Sequence, residues 1–232
     1  MKRLARLAAL LLLLLPAYLG MAAGWAMAVF GDLAAGLPPM RAALLTPRQT
    51  AILLAVEDPD FYRHAGISLA AGQGFATLTS AVTRDFYLDG ARLGGAGGVF
   101  QSAYAHIQHC CKAIDLGRDA MTLVLDAKMS KDRQLDYYVA HVYMGTQAGV
   151  QVRGLALAAL LYAGKPLAAL DEREFIRLAA MIKAPNAYHP LRHPAPLAAR
   201  AARIEALLAG RCTAAGWSDT LLRACEQTKE SP

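Results

Sequence analysis

Two adjacent carboxylates, Glu57 and Asp58, close the apolar run AILLAV (51–56) and open the stretch EDPDFYRHAG, which carries Phe61, His64 and Gly66. A carboxylate at the dry edge of a core either has its pKa raised, because burial disfavours the charged form, or is held by defined partners. Enzymes use both conditions, so the pair is a candidate for acid–base chemistry. The competing reading is a helix end whose acids face water. The cysteines and histidines offer a second chemistry. His109, Cys110 and Cys111 are contiguous, with His106 one turn back, but no CxxC spacing accompanies them and packing is the preferred reading over a metal site. Cys212 and Cys225 flank a short loop and can pair in an oxidising compartment.

Local signals predict the elements that must position these residues. Thr46, Pro47 and Gln49 form a capping box with proline at the first helical position, so a helix is expected through PRQTAILLAVED. Ser130 is expected to cap a helix through KDRQLDYYVAHVYMG, with Leu135, Val139 and Val142 on one face and Gly145 as its stop. Asp171 and Glu174 form a second capping box, with Phe175, Leu178, Ala179 and Ile182 inward and Pro185 as the end. PLAARAARIEALLAGR repeats the scheme with Leu197, Ala201, Ile204 and Leu208. Beyond residue 66 the pattern reads as nearly all helical. Residues 88–98, LDGARLGGAGG, are expected to be a flexible glycine-rich segment. They are not a nucleotide loop, because no strand precedes them and no Gly-Lys-Ser/Thr follows.

The N-terminus predicts export. MKRLAR is basic, and Leu7 to Phe30 then runs without a charge, long enough at about 1.5 Å per residue to cross a hydrocarbon core of about 30 Å. Lys2, Arg3 and Arg6 place the short N-terminal side in the cytoplasm. A cleaved signal peptide competes, since Gly20, Met21 and Ala22 offer small residues near a possible cut; the anchor is favoured because apolar sequence continues past it. The expected divisions are a cytoplasmic stub and anchor (1–31), a Gly/Pro linker (32–45), a helical domain (46–210) and a tail (211–232). The 24 Lys+Arg against 18 Asp+Glu give a net charge of +6, which beside a membrane favours anionic head groups and, with export, argues against nucleic acid.

From about Thr46 to Leu208 the sequence resembles the family 51 glycosyltransferases, the peptidoglycan glycosyltransferase domain of penicillin-binding proteins and their monofunctional relatives. Glu57, Asp58, Phe61, His64 and Gly66 meet the family's EDxxFxxHxG motif in full. QGFATLTSAVTRDFYL is similar to the second motif through Gln73, Gly74, Thr77 and Thr79, with Arg84 for a lysine, Asp85 for an asparagine, and Ser80 and Ala81 for two glutamines. SKDRQLDYYVAHVYMG resembles the fourth through Lys131, Leu135, Tyr138, Tyr143 and Gly145, with Asp136 for a glutamate and Ala140 for an asparagine. Arg200 stands where the family's closing arginine pair begins. The segment between the first two motifs is short, implying a reduced small lobe. The third motif, RKxxE, departs most: counting back without gaps puts Arg118 at its glutamate, a three-residue slip puts Lys112 and Asp115 in its place with Cys111 for the arginine, and Asp119 is another nearby acid.

The resemblance implies a mainly α, lysozyme-like domain behind one transmembrane helix, polymerising lipid II at the outer face of the inner membrane. It implies Glu57 as general base and Asp115 as the second catalytic carboxylate. Asp58, His64, Gln73, Thr77, Thr79, Arg84, Lys112 and Lys131 are the candidate substrate contacts; Asp58 is expected to orient neighbours and His64 to hydrogen-bond within its loop or serve packing. Arg84, Lys112, Arg118, Lys128 and Lys131 are the candidate phosphate partners, since guanidinium and ammonium groups neutralise a departing pyrophosphate. Magnesium is implied by the family, although no carboxylate cluster in the sequence marks its site. The implied partners are lipid II, nascent glycan, the membrane and other wall-synthesis proteins. Two other readings stay open: a catalytically impaired descendant that binds precursor or glycan and scaffolds wall synthesis, and a muramidase-like lytic enzyme, which has no motif support.

Overall fold

A computed structural model describes residues 2–38, 44–74, 76–108 and 115–226. The chain is mainly helical and divides into two compact units: residues 1–39, 65–67 and 79–130 form one, and residues 40–64, 68–78 and 131–232 the other.

The first unit is built on α1 (Lys2–Ala35), whose stretch Leu13–Ala35 is long and apolar enough to cross a membrane. The helix continues through Asp32 to Ala35, into the stretch expected to be linker. Ala22, Ala26, Val29 and Leu33 are buried at spacings of four, three and four residues, which places them on one face. That face packs chiefly along α5 (Leu116–Lys128), and α1 also touches α4 (Gly95–Gln108) and the π-helical turn Arg84–Asp89 that follows α3 (Leu78–Thr83).

Here the glycine-rich segment departs from expectation, for its last four residues, 95–98, are the first turn of α4. A side-chain carbon at Gly98 would lie 2.2 Å from the Leu93 carbonyl oxygen, and one at Gly97 would lie 3.2 Å from Val29. The glycines therefore serve close approach. Trp25 of α1 donates its indole N–H to the Gly97 carbonyl (3.1 Å) and stacks on Phe100, with ring centroids 4.7 Å apart.

The second unit packs α2 (Pro47–Glu57) against α8 (Glu172–Ile182) and α9 (Pro194–Leu208), which also pack on each other. Both expected capping boxes form, at Thr46/Gln49 and at Asp171/Glu174. Gln49 also turns inward, donating to the Leu167 carbonyl at 2.8 Å. α6 (Lys131–His141) and α7 (Leu155–Ala163) flank a hairpin that the periodicity did not announce: β1 (Tyr143–Gln147) pairs antiparallel with β2 (Val150–Arg153). The expected helix through Tyr143 to a stop at Gly145 is therefore too long. α6 ends at His141, and Gly145 sits inside β1 at φ +103°. Tertiary packing overrides the helical spacing, burying Met144 and Val152 on the same side of the short sheet.

Cys212 and Cys225 are joined by a disulfide. Cys110, Cys111 and His109 lie outside the described residues.

Candidate active site

Glu57 is the last residue of α2, delivered there by the apolar face of Ile52, Leu53 and Val56, all buried. Its carboxylate is half-buried. Burial is the largest influence on it; Arg200 and then Lys183 pull the other way, Asp58 adds a small push, and the pKa comes to rest raised to about 6. Arg200, on α9, is itself almost wholly buried, donating from Nε to the Ala180 carbonyl (3.1 Å) and from Nη1 to the Thr220 carbonyl (3.2 Å). Lys183 caps the C-terminus of α8. A helix end from α2 thus meets two cations brought by α8 and α9.

Asp58 is fully buried. Its carboxylate accepts from the Leu78 amide (2.8 Å) and faces His64 Nε2 at 3.0 and 3.1 Å. Burial raises the Asp58 pKa, with the Leu78 amide and His64 acting against the rise. Asp58, expected to orient neighbours, and His64, expected to hydrogen-bond within its loop or serve packing, are thus hydrogen-bonded to each other. Phe61, also buried, carries Lys131 Nζ over its ring at 4.7 Å from the centroid.

Gln73 and Thr77 are buried in the same unit. Both polar atoms of the Gln73 side chain are buried without a hydrogen-bond partner among the described residues, an uncommon state for an amide. The unit therefore gathers Glu57, Asp58, His64, Gln73, Thr77 and Lys131 from the expected set.

Of the other expected residues, Thr79, Arg84 and Asp115 belong to the first unit. Thr79 is fully buried there. Arg84 is more than half exposed and pairs with Asp89 at 3.4 Å. Asp115 is the N-cap of α5: its carboxylate accepts from the Arg118 amide (3.0 Å) and from the Tyr104 hydroxyl. Lys112 lies outside the described residues.

Two cations of the site had no role assigned to them from the sequence. Lys183 reads there as an ordinary basic residue near a helix end. Arg200 was placed by the resemblance without a role. For magnesium the donors fit poorly: the Asp58 carboxylate already has His64 and Leu78 as partners, and among the described residues no group of three His, Cys, Asp or Glu side chains converges.

The family described as Transglycosylase has a model that matches residues 38–209. Over 156 residues the chain is 33% identical to Penicillin-binding protein 1B of Escherichia coli (strain K12), covering 61% of this chain and 16% of that protein. It is 32% identical over 155 residues to Penicillin-binding protein 1B of Vibrio cholerae, covering 61% and 18%. Against Penicillin-binding protein 1A of Pseudomonas aeruginosa the identity is 29% over 156 residues, covering 61% and 16%. The matched region is thus less than a fifth of the length of each of these relatives.

Proposed function

Because the chain belongs to the transglycosylase family, we propose that it is an inverting peptidoglycan glycosyltransferase that polymerises lipid II into glycan strands. Glu57 acts as general base. It takes the proton of the acceptor's 4-hydroxyl as that oxygen bonds to the donor's anomeric carbon. The bond from that carbon to the pyrophosphate breaks, and the leaving group departs with the electron pair. The observation that carries this reading is a half-dry carboxylate with its pKa at about 6, facing Arg200 and Lys183. A base of that pKa is ionised at neutral pH yet still basic enough to accept a proton in the transition state.

Asp58 and His64 are positioning residues for the turn that follows Glu57, and Gln73 is the strongest candidate for a polar contact to sugar, because its buried amide is unspent. We place α1 in the inner membrane with the rest of the chain outside the cytoplasm, where a tethered domain meets tailed substrates at high effective concentration. Lipid II, nascent glycan and other wall-synthesis proteins are the partners this reading entails. A magnesium requirement is proposed on the family alone; EDTA should then stop polymer formation and added magnesium restore it.

The test is direct. Purified protein in detergent with lipid II and magnesium should give glycan polymer, and Glu57→Gln should lower the rate by about a thousandfold. A second reading, binding without turnover, is favoured by one observation: Asp115, the expected second acid, is engaged as a helix cap and by Tyr104. Retention of lipid II without polymer would support that reading instead. Release of fragments from finished wall would point to lytic chemistry.

A further inference from the structure

Residues 211–226 form a folded loop closed by the Cys212–Cys225 disulfide. Asp219 organises it from within, accepting from the amides of Ala215 (3.2 Å), Arg223 (2.8 Å) and Ala224 (3.3 Å). The loop grips two parts of the site. Gly72 N–H donates to the Gly216 carbonyl (2.9 Å) and Gly74 N–H to the Trp217 carbonyl (2.7 Å), so both backbone neighbours of Gln73 hang on it. The Thr220 carbonyl accepts from Arg200 Nη1 at 3.2 Å.

The fit is tight. Gly74 has φ +82°, and a side-chain carbon there would lie 2.8 Å from Thr220 Cγ2. A buried guanidinium needs acceptors, and one of the two that Arg200 has comes from this loop.

We propose that the Cys212–Cys225 disulfide is a positioning element for the active site, holding the 211–226 loop in the shape that fixes Arg200 towards Glu57 and immobilises the Gln73 segment. The catalytic part of this inference rests on Glu57 being the working base. Closing a loop of this length by a covalent link removes most of its alternative shapes, so opening the bond frees the Thr220 carbonyl and the two glycine contacts together. Once Arg200 is loosened, Glu57 keeps its burial but loses the larger of its two cationic counterweights.

The experiment compares oxidised full-length protein, the same folded protein reduced in place with a phosphine, and the Cys212→Ser/Cys225→Ser variant. Opening the bond should speed amide exchange at Gly72 and Gly74 by about tenfold. It should also lower kcat by about tenfold, with the acid limb of the pH–rate profile moving above pH 6. Gly74→Ala, with the disulfide intact, should reproduce the exchange and pH effects, which covers the case in which the serine variant fails to fold. Unchanged exchange overturns the inference. So does faster exchange with an unmoved acid limb, because the disulfide would then only staple the tail. If the oxidised protein makes no polymer, the function proposed above fails separately; carbon-13 NMR of the Glu57 carboxyl then decides the inference, an upward move on reduction supporting it and no move overturning it.

Discussion

Glu57 is held neutral to a higher pH than an exposed glutamate because its half-dry position favours the uncharged acid more than Arg200 and Lys183 favour the anion. On the proposed mechanism the base must be ionised, so the polymerisation rate should rise with pH through about 6 and level off above it; initial rates across pH 5–8 check this. The same shift has an opposite consequence for stability. Between the unfolded value of 4.5 and the folded value of about 6 the native state binds the extra proton, so stability falls as pH rises through that window and stays lower above it. The penalty is about 2 kcal/mol at most. Glu57→Gln should therefore raise stability in urea melts at pH 8 and not at pH 4, while removing activity. A surface glutamate would show neither effect.

At the scale of elements, the site is the meeting of two helix C-termini, those of α2 and α8, with the middle of α9. α2 points its last residue at side chains from α8 and α9, and the capping boxes of α2 and α8 set where two of those helices begin. Thr46→Ala leaves the Gln49 amide without its side-chain acceptor and should cost about 1 kcal/mol, read as a lower denaturant midpoint with an unchanged slope. These boundaries were legible because capping is local: the side chain and the amide it satisfies are three residues apart. The hairpin 143–153 and the helical start of α4 were not legible, because each follows from a distant partner. Gly97 and Gly98 read as flexible until Trp25, Val29 and the Leu93 carbonyl are placed beside them.

For the whole molecule the informative element is α1, which is both apolar enough to cross a membrane and part of the core of the first unit. Ala22 and Ala26 are fully buried there, Trp25 stacks on Phe100, and Phe30 lies tilted against Phe86. Protein lacking residues 1–35 should therefore lose the tertiary packing of that unit, checked by near-ultraviolet circular dichroism and dye binding. A domain merely tethered by α1 would be unaffected by the deletion. The sequence by itself determined the helical class, the apolar N-terminal stretch, the capped helix starts and the carboxylate at an apolar edge, because each is written in residue types a few positions apart. Tertiary structure alone decided that Lys183 and Arg200 face Glu57 and that a disulfide-closed loop reaches back to Gly72 and Gly74. Charge, burial and close approach between segments more than a hundred residues apart exist only once the chain has folded.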